Sequence, residues 1–222
     1  MNRTLVIGDI HGCRVALETT LATVKPDAGD TLITLGDYCD RGSDTRGVIE
    51  TLLRLVDETH LVAIRGNHDL MLLEARTAGN MYRRQWELTV GGDATVASYS
   101  SSLDNVPASH WRFLENTLPY YETATHVFVH AGLDAETPLS EQTASALYWE
   151  KLRNPAPHVS GKTVIVGHTS QKNGLPLDLG HTLCLDTWAY GGGWLSCLDV
   201  QTGRIFQGSE SGDTRLLWRD EL

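Results

Sequence analysis

The sequence predicts a layered α/β fold in which mixed β-sheets are flanked by helices. Five short apolar runs each end in glycine or a polar residue, and short runs of this kind are typical of buried strands. The linkers between the early runs have helical spacing, whereas the C-terminal part of the chain has strand patterns joined by turns. We therefore expect parallel strands connected by helices first and antiparallel strands last.

The apolar runs define five strands, and an Asp, Asn or His follows each of them closely. The runs span residues 5–7, 32–35, 61–64, 127–129 and 164–166. Residues 14–24 and 46–58 have apolar side chains at three- and four-residue spacing, which predicts helices. In open α/β sheets the ligand site lies beyond the carboxyl ends of the strands, so these polar residues are expected to meet at one edge of one sheet.

The rest of the chain gives weaker patterns. Residues 70–125 contain no comparable run, and we interpret them as a mainly helical flank without metal ligands, in which Trp86 is a core or cleft-wall residue. Four antiparallel strands are predicted after residue 168, with turns at 191–193 and 202–203; these strands span 182–186, 194–199, 204–207 and 215–218. Residues 1–222 are interpreted as a single domain.

Composition limits the possible partners. The formal net charge of −10 argues against a general binder of nucleic acid or anionic membranes, although bound cations would still admit a phosphorylated substrate. The four cysteines form no closely spaced pair, and the N-terminal apolar run is too short for a signal peptide or a membrane span. We expect a cytoplasmic monomer that binds neither nucleic acid nor membranes.

The polar residues at the strand ends are of the types that bind metals. Carboxylate oxygens and imidazole nitrogens suit Mn²⁺, Fe²⁺ or Zn²⁺, and the absence of cysteine there argues against a closed structural zinc site. A carboxylate that bridges two ions holds them about 3.5–4 Å apart, which suits an in-line displacement. The candidate ligands are Asp9, His11, Asp37, Asn67, His130 and His168.

Five motifs in order resemble one family. Gly8-Asp9-Ile10-His11-Gly12, the segment 36–42 (GDYCDRG) and the segment 66–69 (GNHD) resemble the three signature blocks of the PPP-type metallophosphatases of the calcineurin-like phosphoesterase superfamily. The segments 130–132 (HAG) and 167–169 (GHT) resemble its two downstream histidine blocks. The similarity is greatest to small bacterial and phage serine/threonine protein phosphatases. It implies a central β-sandwich with a dinuclear metal site at the carboxyl edge of the strands.

The resemblance also implies a role for each ligand. Asp9 and His11 would hold the first metal, and Asp37 would bridge both metals. The second metal would be completed by Asn67, His130 and His168. Two divalent ions are implied, with Mn²⁺ preferred and iron or zinc as alternatives.

Three further residues would act on the substrate. A metal-bridging hydroxide would attack the phosphorus in line, and His68 would be the general acid that protonates the leaving alkoxide. Asp40 would keep His68 protonated and oriented, and Arg41, helped by Asn67, would bind the phosphate oxygens. The second phosphate-binding arginine of the relatives is replaced here by Lys151, with Arg153 as the alternative.

These roles favour a phosphomonoesterase that acts on phosphoserine or phosphothreonine proteins, with phosphotyrosine and small phosphoesters as further substrates. Asp40 supports this reading, because symmetrical dinucleoside-tetraphosphate hydrolases typically replace that aspartate. Hydrolysis of dinucleoside polyphosphates or nucleotides is an alternative, supported by Asp69 and the HAGL segment at 130–133. A second alternative is a non-catalytic metal-binding scaffold, which only the Lys151 substitution favours.

Overall fold

The computed structural model describes residues 2–222 and contains two β-sheets and seven α-helices within them. The strands are β1 (Thr4–Ile7), β2 (Thr31–Thr34), β3 (His60–Ala63), β4 (Tyr120–Glu122), β5 (His126–Val129), β6 (Thr163–Val166), β7 (Leu177–Asp178), β8 (Thr182–Cys184), β9 (Leu195–Asp199), β10 (Arg204–Gly208) and β11 (Thr214–Trp218). The helices are α1 (Arg14–Val24), α2 (Thr45–Glu58), α3 (Asn67–Thr77), α4 (Asn80–Val90), α5 (Gly92–Ser98), α6 (Ala108–Glu115) and α7 (Ala144–Tyr148).

The two sheets form the predicted sandwich. The first sheet has the strand order β11-β10-β9-β1-β2-β3, and the second has the order β4-β5-β6-β8-β7. Both are mixed, because β1, β2 and β3 are parallel while β9 runs antiparallel to β1, and β5, β6 and β8 are parallel while β4 and β7 are antiparallel. The mixed α/β architecture is thereby confirmed.

Side chains alternate between the interior of the sandwich and its outer layers. Val6 and Ile33 of the first sheet pack with Phe128 and Ile165 of the second in one buried apolar cluster. Their strand neighbours point the opposite way, as the period of two requires, and Leu5 packs in the cluster that contains the buried faces of α1 and α2. A third cluster places α7 against the outer face of the second sheet. Helices thus cover both sheets.

Two details of the predicted topology are wrong. The five apolar runs do not share one sheet: β1, β2 and β3 lie in the first, whereas β5 and β6 lie in the second. The strand predicted at 182–186 is not antiparallel to its neighbour at 194–199. It spans Thr182–Cys184 as β8, pairs parallel with β6, and belongs to a different sheet from β9. The turn at 191–193 therefore lies where the chain crosses from the second sheet, which contains β8, to the first sheet, which contains β9.

The remaining elements follow the expected pattern closely. Helix α1 has the predicted bounds, and α2 begins one residue earlier, where the Asp44 carboxylate accepts a hydrogen bond from the N–H of Gly47 and caps the helix. Helices α4, α5 and α6 lie in the segment 70–125, together with the strand β4, which was not predicted. Among residues 2–222, none of the helices is both long and apolar enough to cross a membrane. The single-domain interpretation remains a prediction.

Candidate active site

The carboxyl ends of five strands meet where the two sheets come together. The first sheet carries Asp9 and His11 after β1, Asp37 after β2, and Asn67 and His68 at the start of α3 after β3; the second carries His130 and His168, after β5 and β6. All seven are buried. Hydrogen bonds link the loops: the N–H of His11 donates to the carbonyl of Asp37 at 2.7 Å, and the N–H of His168 donates to the Asp9 carboxylate at 2.9 Å.

The backbone of these loops is strained. Five residues with a side chain adopt positive φ angles in the left-handed region: His11, Asp37, Asp40, Arg41 and His168. Each such residue costs about 1–3 kcal/mol and persists only where the surroundings hold it, and strain of this kind clusters at functional sites. Asp69 helps to hold it here, because its carboxylate accepts hydrogen bonds from the N–H groups of Asp37, Tyr38 and Gly66.

Asp37 connects two groups of potential ligand atoms. Atoms of Asp37, His130 and His168 lie within 4.8 Å of one another, and so do atoms of His11, Asp37 and His68. The Asp37 carboxylate oxygens lie 3.3 Å from Nε2 of His11 and 3.5 Å from Nε2 of His130. Asp37 is therefore the residue that the two groups share. Asp9 is outside both groups, and its carboxylate faces the N–H of His168 instead.

The donor set around Asn67 suits a cation. The Nδ1–H of His130 donates to the carbonyl of Leu35 at 2.8 Å, which leaves a lone pair on its Nε2, 2.9 Å from Oδ1 of Asn67. The Nε2–H of His168 donates to the carbonyl of Trp149 at 3.1 Å, which leaves a lone pair on its Nδ1, 3.0 Å from the same oxygen. The lone pairs on Nε2 of His130, Nδ1 of His168 and Oδ1 of Asn67 are close together and repel each other. A divalent metal bound between them would relieve this repulsion.

Protonation states also fit metal ligands. Burial lowers the pKa of His11 and His130 and is the largest cause that lowers the pKa of His168 to about 3, so the neutral form is favoured for all three. Burial and then the charges of Asp186 and Asp37 raise the pKa of Asp9 well above its ordinary value. Carboxylates crowded in this way favour a bound cation, and the residues present therefore fit divalent metals. The assignment of individual ligands stays a prediction.

His68 differs from the other three histidines. Burial lowers its pKa, but the charge of Asp37 and the hydrogen bond and charge of Asp40 outweigh burial, so its pKa lies above the ordinary value. The Nδ1–H of His68 donates to Oδ2 of Asp40 at 2.7 Å, and Asp40 is fully buried. This geometry fixes Nδ1 toward Asp40 and leaves Nε2 as the nitrogen available for proton transfer to a substrate.

Arg41 lies in front of the histidines. Its guanidinium donates to Nε2 of His11 and to Nε2 of His68, both at 2.8 Å, and it stacks 4.5 Å above the ring of Tyr190. Tyr190 also makes an edge contact with the His11 ring. No role for Tyr190 was predicted from the sequence. Its position just before the glycines at 191–193 was visible, but the contact depends on the crossover between sheets.

A cavity of about 270 Å³ opens onto these groups and is lined by Lys151 but not by Arg153. The ammonium group of Lys151 donates to the carbonyl of His168 at 2.8 Å. Arg153 lines a neighbouring cavity instead. Of the two basic residues, Lys151 is therefore the one placed at the mouth of the site, and its role in phosphate binding stays a prediction. A second Gly-His-Thr segment, at 180–182, contains His181. This histidine lies at the amino end of β8, at the edge of the sheet opposite to the site.

The comparisons with known proteins agree with this geometry. A family model described as calcineurin-like phosphoesterase matches residues 2–199. The chain is 31% identical over 207 residues to serine/threonine-protein phosphatase 1 of Salmonella typhimurium, covering 88% of this chain and 91% of the relative. It is 29% identical over 231 residues to the asymmetrical bis(5′-nucleosyl)-tetraphosphatase of Anoxybacillus flavithermus, covering 87% and 88%.

Among solved structures, the fold is similar to that of a cold-active protein-tyrosine phosphatase from a Shewanella species. The TM-score is 0.69 at 16% sequence identity, and the similarity covers 98% of this chain and 80% of the other. At this identity the likeness shows the fold alone. The family match and the Salmonella relative also show the family. The chain belongs to the calcineurin-like phosphoesterase family and is a hydrolase of phosphoric esters.

Proposed function

We propose that this phosphoesterase is a metal-dependent phosphomonoesterase that acts on phosphoserine and phosphothreonine in proteins. The observation that carries the proposal is the buried His68–Asp40 pair, joined at 2.7 Å beside the Asp37 carboxylate. A serine or threonine alkoxide is a poor leaving group, so its departure needs a proton from a positioned acid. A phosphate leaving group of a nucleotide substrate needs that proton far less.

Each residue of the site has a separate role in the proposed reaction. Divalent ions, when bound, supply the nucleophile and stabilise charge on the phosphate oxygens. Arg41 turns its planar guanidinium from the histidines to two phosphate oxygens, while Tyr190 supports it from below. His68 then carries its proton on Nε2 and delivers it to the leaving oxygen, held by Asp40 at Nδ1. Lys151 adds a point charge at the mouth of the cavity.

Hydrolysis of dinucleoside polyphosphates is the second candidate. The full-length similarity to the Anoxybacillus relative, which is named for that activity, supports it. Asp69 and the HAGL segment at 130–133 support it by resemblance. The net charge of −10 makes a long polyanionic partner such as nucleic acid unfavourable for either function.

Metal removal and substrate choice test the proposal together. We expect the protein with added Mn²⁺ to release phosphate from a phosphoserine peptide faster than it cleaves diadenosine tetraphosphate. Chelation should abolish both reactions and lower the melting temperature, since an ion that binds only the folded state stabilises it. Faster cleavage of the dinucleotide would establish the second candidate, and full activity after chelation would contradict both.

Replacing Lys151 with alanine is expected to raise the KM for the phosphoserine peptide by about tenfold with a smaller change in kcat. A hydrogen bond to a charged group contributes enough for such a change, and the contact exists in the ground state as well as in the transition state. Arg153→Ala is the matched control, because Arg153 is outside the cavity. Steady-state kinetics of both variants measure the difference, and a larger KM effect for Arg153→Ala would exchange the two roles.

A further inference from the structure

Two side chains from the helical segment hold the Asp40 carboxylate. The indole Nε1–H of Trp86, on α4, donates to Oδ2 of Asp40 at 2.9 Å, the same oxygen that His68 contacts. The hydroxyl of Thr95, on α5, donates to Oδ1 of Asp40 at 2.8 Å. Both Trp86 and Thr95 are buried. The carboxylate therefore receives donors on both oxygens, and two of the three donors come from a segment that carries no candidate metal ligand.

The proton count fixes the orientation of Thr95. Its hydroxyl has one proton, which it gives to Asp40, so it must accept from its other partners. These are the N–H of Asp40 at 2.8 Å and the hydroxyl of Thr45 at 3.1 Å. Thr95 thus binds both the backbone and the side chain of Asp40, whose positive φ of 69° needs such support. The carboxylate plane cannot rotate without breaking one of these bonds.

The junction of α4 and α5 contacts the loop that carries Asp40 and Arg41. The carbonyl of Gly91 accepts a hydrogen bond from the N–H of Arg41 at 2.9 Å. A Cβ atom at Gly91 would lie 2.8 Å from the Arg41 nitrogen and 3.0 Å from its Cα, and Gly91 has a φ of +89°. Only glycine permits this approach. The contact sets the distance between the two helices and the loop that carries Asp40 and Arg41.

We propose that Thr95 and Trp86 are positioning residues, which hold the Asp40 carboxylate at the angle that aims Nε2 of His68 at the leaving oxygen. This inference rests on the proposed function, because it concerns the same proton transfer. A hydrogen bond that orients a general acid affects the rate most for substrates whose leaving group needs a proton. Loss of either bond therefore selectively slows reactions with poor leaving groups.

Thr95→Val removes the hydroxyl while keeping the shape of the side chain, and Trp86→Phe removes the indole N–H. With Mn²⁺ we expect each to lower kcat for a phosphoserine peptide by about 10- to 100-fold, and kcat for p-nitrophenyl phosphate by less than about threefold. KM should change little for either substrate. Thr95→Ser, which keeps the hydroxyl, should restore the peptide rate to within about threefold of wild type. Thr89→Val, on the exposed face of α4, is the matched control.

The outcomes separate this inference from the proposed function. A selective loss in the two variants, with rescue by Thr95→Ser, supports the inference. Equal losses on both substrates, or no loss in a folded variant, overturn it and leave the proposed function standing. If Thr95→Val does not fold, the same comparison on Trp86→Phe decides. A wild-type protein without Mn²⁺-dependent turnover of either substrate overturns the proposed function and this inference together.

Discussion

Replacing Asp37 with asparagine is expected to lower Mn²⁺-dependent turnover of p-nitrophenyl phosphate by at least about 1000-fold. Asp37 belongs to both groups of ligand atoms and reaches His11 on one side and His130 on the other. Burial raises its pKa, but the nearby histidines, His130 first, lower it below the ordinary value, so the group is ionised at neutral pH. Asparagine keeps the shape and removes the charge. A catalytic ion is worth several kcal/mol, and each 1.36 kcal/mol is a factor of ten.

Metal content and stability show whether the loss has this cause. The variant should bind fewer than two equivalents of Mn²⁺, measured by elemental analysis after dialysis. A cooperative thermal melt of the metal-free variant should show that it folds. Asp57→Asn, on the exposed side of α2, is the control and should behave as wild type. A folded Asp37→Asn variant with normal turnover would show that Asp37 holds no essential ion.

Replacing His68 with glutamine should slow hydrolysis of a phosphoserine peptide by about 100- to 10,000-fold, the range that general acid catalysis provides. The loss on p-nitrophenyl phosphate should be much smaller, because that leaving group departs without a proton. Since the pKa of His68 is raised, against the effect of burial, chiefly by the charge of Asp37 and by Asp40, the alkaline loss of peptide turnover should fall at a higher pH than an ordinary histidine would give. The glutamine variant should lose this alkaline limb.

The same variant tests whether His68 acts as acid or as ligand. His68 lies near His11 and Asp37, and the three could together hold an ion. If His68 is the acid, His68→Gln retains the wild-type Mn²⁺ content and is slow only with poor leaving groups. A loss of one equivalent of Mn²⁺, with equal losses on both substrates, would make His68 a metal ligand and would contradict the assignment as acid.

The local features of the fold were predictable from the sequence. The runs before Asp9, Asp37 and Asn67 are short, apolar and closely followed by polar residues, and each became a strand whose end faces the site. This works because burial on both faces and termination at a turn are properties of neighbouring residues. The convergence of the polar residues within each sheet also follows, since parallel strands end at one edge, but the meeting of the two sheets at that edge does not.

The pairing between distant segments was not predictable in the same way. Nothing near Leu5 in the sequence indicates that its strand pairs with Asp199 and its neighbours, nor that Leu183 extends the sheet of Ile165. Strands as short as Leu177–Asp178 have no periodicity to detect, and they exist because an adjacent strand offers hydrogen bonds. The contacts of Thr95 with Asp40 depend on the same long-range packing. The neighbouring pair Gly91-Gly92 is a local feature of the sequence that is compatible with a close approach, but it does not indicate which segment approaches.

The division of the candidate ligands between two sheets has a consequence for how the protein assembles. Asp9, His11, Asp37 and Asn67 come from one sheet, whereas His130 and His168 come from the other. Neither sheet by itself presents the whole set, so with the proposed ligands a partly opened chain would lack the complete site and would acquire it only when the sandwich closes. If two ions bind as proposed, they would join the two layers, and separation of the layers would be expected to release them.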